Sequence, residues 1–251
     1  MKTTIHCIDQ SQRNAARVAG FTLLFGMAIV VFGEFYISSS LIVPGDAAKT
    51  ALNISAHESL FRLNITCNLI YVANVVVLLT SLYVILKPVG RTLALTAALF
   101  RLVYALMWVV IVVNMLGALR LVEGASYLRV FETDRLQALA RFHLRASYDA
   151  YYVGLPFFGL ASTVCSYLWL KSAYLPKALA GFGVISSAWC VMCGAIFIIF
   201  PRFNATVNDW WFDTPIGLFE MATGLWLLFK GLRPSAKAVP DETSVQAQSS
   251  R

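Results

Sequence analysis

Residues 58–119 read ESLFRLNITCNLIYVANVVVLLTSLYVIL (58–86), KPVGR (87–91) and TLALTAALFRLVYALMWVVIVVNMLGAL (92–119), and they decide the fold. Each apolar run exceeds the roughly 20 residues that cross about 30 Å of hydrocarbon as an α-helix. No water lies inside a bilayer to satisfy backbone N–H and C=O groups, so runs of this kind cross it coiled as helices. Pro88 and Gly90 in the five-residue joint end one helix and permit the next, and so short a joint makes the two spans antiparallel neighbours. Upstream, Ser55 and Glu58 stand in the S-x-x-E spacing, which predicts a capping box opening the second span.

Working outward, four more runs share this character. The first span is expected over about Arg17 to Ile37. A polar loop over residues 38–57 follows, in which Asp46 is placed to cap a short helix. The stretch Ser38 to Pro44 lacks a small-x-small cleavage pattern, so the first span reads as retained. The fourth span is expected over Ser147 to Trp169, with Pro156 favouring a kink. Pro176 and Pro215 suit the first helical positions of the fifth span, to Phe200, and the sixth, to Leu232. The connection over residues 120–146 predicts an interfacial helix from Thr133, where Leu136, Leu139 and Ala140 recur at helical spacing.

The 251 residues are 59% hydrophobic and 13% charged, against about 25% charged in soluble domains, so a water-soluble core fails as an explanation. The expected fold class is all-α: a polytopic transmembrane helical bundle with six membrane spans over residues 17–232. A cytoplasmic segment, residues 1–16, precedes it, and a disordered cytoplasmic tail, 233–251, follows.

A formal charge of +7 raises the question of nucleic acid, yet the basic residues flank the apolar spans and no basic stripe interleaved with aromatics occurs. The basicity reads as topology. The termini and the two tight turns carry Lys2, Arg13, Arg17, Lys87, Arg91, Lys171, Lys177, Lys230, Arg233, Lys237 and Arg251 against Asp9, Asp241 and Glu242, whereas cations and acids balance in the other three loops. Both termini are therefore expected in the cytoplasm, with the five arginines of residues 120–146 as the contrary feature. Cys7, Cys67, Cys165, Cys190 and Cys193 form no disulfide framework. Cys190-x-x-Cys193 lies mid-helix in an apolar span, away from the helix start that would activate a thiol.

Two stretches carry a resemblance. Ser39-Ser40-Leu41-Ile42-Val43-Pro44-Gly45-Asp46-Ala47-Ala48 continuing to Glu58-Ser59-Leu60-Phe61-Arg62-Leu63, and Phe157-Phe158-Gly159 continuing to Tyr174-Leu175-Pro176, resemble the bacterial multi-pass membrane proteins grouped as domain of unknown function 4386. The similarity runs over about residues 12–232. It implies a bacterial inner-membrane protein and brings no established activity or catalytic residue. Where that family often places a polar or aromatic residue after Phe157-Phe158-Gly159-Leu160, this chain has Ala161 and Ser162, which argues against a reactive centre there.

Ionisable residues inside spans cost from about 2.5 kcal/mol upward and call for a partner. Arg101 lies ten residues after Arg91, and Glu220 ten before Lys230. By helical rise both therefore sit roughly 15 Å from one boundary, near the midplane. They are expected to pair, lining a polar cavity or only fixing helix packing. Nearer the other boundary Glu34, Arg62 and Asp149 are candidates for a polar mouth, although Arg145 and Asp149 are also spaced to pair along their own helix. Asn64, Asn68 and Tyr71 share one helix face, and Arg101, Tyr104 and Trp108 another; such stripes glue helices or line a site.

The histidines His6, His57 and His143 fit no H-E-x-x-H or equivalent metal spacing, and no phosphate loop or G-x-S-x-G elbow occurs. No cofactor or metal ligand is therefore assigned, and an enzyme is the less favoured class. Nor is an inverted repeat visible. Membrane lipids are the expected surroundings, and the leading expectation is a protein that binds or senses a lipid or small amphipathic ligand in an intramembrane polar cavity. The candidate ligand-binding residues are Arg101, Glu220, Glu34, Arg62, Asp149, Tyr104 and Asn68. The alternatives are a small-molecule or proton-coupled transporter, and a membrane-embedded metal-dependent hydrolase using His57, His143 and Asp149.

Overall fold

The computed structural model describes residues 8–124, 126–128, 130–200 and 210–233, and every regular element among them is helical. Helix α1 (Gln10–Val31) passes into a π-helical segment (Phe32–Ser38) and a short α2 (Ser39–Leu41). Then come α3 (Ala47–Ala56), α4 (Glu58–Leu86), α5 (Arg91–Glu123), α6 (Thr133–Ser172), α7 (Lys177–Ile199) and α8 (Trp210–Phe229). Among the described residues five helical stretches are long and apolar enough to cross a membrane: Gln10–Leu41, Glu58–Leu86, Arg91–Glu123, Thr133–Ser172 and Lys177–Ile199. Helix α8 stands where the sixth span was expected and is not among the five; it carries Asp213 and Glu220.

Each long helix packs against its neighbours in chain order, and α8 returns to α1, so α1, α4, α5, α6, α7 and α8 form a closed ring. Small residues set the close approaches. A Cβ on Gly20 of α1 would come 2.6 Å from the backbone nitrogen of Leu228. Gly224 faces Leu23 and Leu24, and Gly217 faces Met27, so α8 runs antiparallel along the length of α1. On the other flank of α8, Gly183 of α7 admits the Phe219 ring.

The termini of the helices depart from the sequence reading in instructive ways. Helix α1 starts at Gln10, not near Arg17, because Asp9 and Gln12 form a reciprocal capping box. The Gln12 amide then donates to Ile85 O at 3.2 Å and ties α1 to the end of α4. The capping box expected from Ser55 and Glu58 is absent: Ser55 belongs to α3, and the Glu58 carboxylate accepts from Arg62 Nε at 2.6 Å instead. Asp46 does cap α3, accepting from Lys49 N–H at 2.9 Å. This hydrogen bond holds its carboxyl below the usual carboxylate range. The interfacial helix and fourth span are one continuous helix of 40 residues, α6, which runs through Pro156. Its first turns lie over α3, where Arg141 donates to Gly45 O at 2.8 Å. Pro215 lies inside α8 rather than at its start. Residues 1–7, less than half of the expected amino-terminal segment, and 234–251, nearly all of the expected tail, lie outside the described residues.

Candidate functional site

The apolar interior divides into two clusters. One includes Tyr104, Phe158 and Ile216, and the other Ala97, Cys165 and Leu227. Arg101, Ser162 and Glu220 fall between them in sequence on α5, α6 and α8, so the division is a polar layer. The guanidinium of Arg101 donates from one nitrogen to Glu220 Oε1 at 3.0 Å and to Ser162 Oγ at 2.7 Å. The side chains of Arg101 and Glu220 are 5% and 17% exposed. The Phe158 ring lies under the guanidinium carbon, 5.2 Å from ring centroid to carbon, within cation–π range. Around this layer the buried side-chain atoms Arg101 Nε, Ser166 Oγ, Ser187 Oγ and Thr223 Oγ1 have no hydrogen-bond partner among the described residues.

From the pair a polar string climbs along α4 and α5. The hydroxyls of Tyr71 and Tyr104 are 3.3 Å apart, and Trp108 packs against Tyr71 with ring centroids 4.5 Å apart and the planes tilted by 60°. One turn further, Asn68 Nδ2 donates to Asn64 O at 2.8 Å and contacts Met115 Sδ, and Asn64 Nδ2 donates to Ser38 Oγ at 2.9 Å. Glu34 lies one π turn before Ser38, in the widened segment, and Gly33 beside it makes room for the Asn64 amide. Both stripes read from helical spacing thus face the interior and bind helix to helix.

The expected polar mouth of Glu34, Arg62 and Asp149 does not assemble. Arg62 reaches Glu58 and Glu123, not Glu34. Glu58 stands one turn away on its own helix, and Glu123 ends the antiparallel α5. Asp149 is exposed and makes no ion pair with Arg145 among the described residues. His143 is turned to Asn114 Oδ1 at 3.0 Å, and His57 to Asn53 O at 3.2 Å. No group of three or more His, Cys, Asp or Glu residues suited to a metal ion occurs among the described residues.

Two cavities adjoin the polar string, each of about 10 Å³. That is room for one water at most, and not for an amphipathic molecule. The aromatic rings of Tyr71, Tyr104, Trp108 and Phe158 fill the space the sequence left open for a ligand.

Sequence reasoning missed several members. Asn74 extends the Asn64, Asn68 and Tyr71 face by one more helical step and donates to Thr22 O at 2.9 Å, binding α4 to α1. Asp213, two residues before the expected start of the sixth span at Pro215, lies inside α8 and accepts a hydrogen bond from the Tyr151 hydroxyl of α6. Ser162 gave no signal beyond its type.

A family model described as Domain of unknown function (DUF4386) matches residues 18–231. Among curated proteins, one from Archaeoglobus fulgidus described as "Uncharacterized protein" is 29% identical over 156 residues, which are 62% of this chain and 75% of that protein. No solved structure matches the chain at a significant level.

Proposed function

The chain belongs to the DUF4386 family, and from that premise we propose that it is a six-span membrane protein working as a proton-coupled carrier of a small molecule. The sixth crossing is supported by the antiparallel register of α8 on α1 and by the closed ring, in which α8 fills the gap between α7 and α1. The cations Lys230 and Arg233 after α8 match those of the tight turns 87–91 and 171–177. That match supports placing both termini in the cytoplasm of a cell whose inner membrane holds the protein.

One observation carries the carrier reading: a charge pair joins α5 to α8 at the seam between two apolar clusters, with only water-sized space around it. A pair whose sole task is to hold helices is replaceable by apolar side chains at little cost, so its presence at a helix seam suits a contact that breaks and re-forms. Binding of a lipid or amphipathic molecule within the bundle requires the helices to part; this closed state offers it no volume.

The test uses the apolar double substitution Arg101→Met with Glu220→Leu, in vesicles of phosphatidylethanolamine and phosphatidylglycerol containing a trapped pH dye. Amino acids, sugars and amphipathic cations are supplied outside in turn. The carrier reading requires that the wild type admit protons with one of these solutes and that the double variant, folded, not do so. Equal flux in the two, or none in the wild type with any solute, would overturn it.

A further inference from the structure

Glu220 has its cation in Arg101, and Arg62 is taken by Glu58 and Glu123, but Glu34 has only the Ser38 hydroxyl of its own segment and no ion-pair partner among the described residues. It nevertheless lies within the apolar stretch Gln10–Leu41, where an unpaired charge is costly. Its backbone is unusual as well. Seven residues, Phe32–Ser38, form a π-helix, a rare conformation that occurs mostly as single-turn bulges inside α-helices, frequently at functional sites.

The second observation is a cavity. Glu34, Gly33, Asn68, Tyr71, Cys67 and Trp108 line a space of about 10 Å³. One water fills such a space. Trp108 is 5% exposed, and its indole Nε1–H, whose one polar neighbour on α5 is the Tyr104 hydroxyl, makes no well-formed hydrogen bond among the described residues. A donor-only group at the wall of a water-sized space asks for an acceptor inside it, which excludes a bare metal cation and suits a water oxygen. Asn68 has committed its amide nitrogen to Asn64 and Met115 and leaves its carbonyl oxygen for such a water.

We propose that Glu34 is a proton-binding carboxyl of this protein, with a single water held by Trp108 and Asn68 as its partner across the cavity. Proton uptake adds one H+ to a carboxylate oxygen and neutralises the charge within the hydrocarbon; release passes that H+ by way of the cavity water to bulk solvent. The titratable groups that face this site are few. Helix α4 offers the Cys67 thiol and the Tyr71 phenol, α5 offers Tyr104 behind Tyr71, and α8, packed on α1, carries Asp213, held by Tyr151, and Glu220, held by Arg101. The inference deepens the proton-coupled reading by naming the group that carries the proton.

Dicyclohexylcarbodiimide tests it, because this apolar reagent adds to protonated carboxylic acids within membranes. Purified protein in lipid vesicles is treated at about pH 6 and about pH 9, and the adduct is mapped by mass spectrometry. The expected result is an adduct on Glu34, falling about tenfold or more at the higher pH, abolished in Glu34→Gln and retained in Glu220→Gln and in Glu34→Asp. An unlabelled Glu34 in the wild type, or preferential labelling of Glu220, would overturn the proposal. If Glu34 is labelled while solute-driven proton flux never appears, the site stands and the carrier reading falls. If flux appears and Glu34 stays unlabelled, the reverse holds.

Discussion

Replacing Glu220 by leucine leaves Arg101 charged in a place where its side chain is 5% exposed and where it cannot shed its proton. Removing one member of a buried pair costs about 3–5 kcal/mol. Arg101 keeps its 2.7 Å hydrogen bond to Ser162. That bond moves the expected loss to the lower end, about 3 kcal/mol, or roughly a hundredfold in the folded-to-unfolded ratio. Arg101→Met is a milder change, because the Glu220 side chain left behind is 17% exposed against 5% for Arg101 and loses less by standing alone, about 1–2 kcal/mol. The double substitution Arg101→Met with Glu220→Leu is expected within about 1 kcal/mol of wild type, since both charges leave together. Unfolding of the four proteins in mixed micelles, followed by tryptophan fluorescence during a dodecyl sulfate titration, measures all three differences. Additive losses in the double variant, or a loss below about 0.5 kcal/mol for Glu220→Leu, would refute the pairing argument.

Other consequences follow from the packing and the caps. Gly20→Ala drives a Cβ to 2.6 Å from Leu228 N and 2.8 Å from Gly224 O, so α1 and α8 must separate. The expected cost in the same titration is about 1–3 kcal/mol. Gly181→Ala is the control, since nothing lies within 4 Å of its Cβ. It is expected to be neutral or stabilising by up to about 1 kcal/mol. Asn74→Leu removes the hydrogen bond to Thr22 O and crowds Gly26, and thermal unfolding in detergent is expected at a lower temperature than for wild type. The Asp46 cap is present above the usual carboxylate range and is lost as pH falls through the depressed folded value. Amide exchange at Lys49 is therefore expected to accelerate, relative to the intrinsic rate, only below about pH 4.

The level of Arg101 and Glu220 was legible because each lies ten residues from a boundary cation, and helical rise converts that spacing into depth. The tight turns were legible because Pro88, Gly90 and Pro176 punctuate them. What stayed hidden depends on geometry without a residue signature. The Phe32–Ser38 π-helix carries no sequence mark, and it is what places Glu34 beside Asn68 and Trp108. Arg62 was read against distant carboxylates on α1 and α6, while Glu58, four residues back, was counted only as a cap. The continuity of α6 was masked by Arg141 and Arg145, which look like a membrane boundary. With no glycine or proline between Thr133 and Gly154, the helix has no reason to stop. Pro215 misled because its missing N–H suits a first turn, yet residues 210–214 are already helical.

The sidedness of α8 tests the account most directly, because a full crossing by this helix puts Lys230 at the boundary that holds Arg91 and so sets Glu220, ten residues from it, at the depth of Arg101. In a background lacking the native cysteines, single cysteines at Lys49→Cys, Lys87→Cys, Ser126→Cys, Lys171→Cys and Lys230→Cys are exposed to a membrane-impermeant maleimide in intact cells and in inverted vesicles. The account predicts that positions 87, 171 and 230 label from one side and positions 49 and 126 from the other. Labelling of position 230 together with 49 would contradict it.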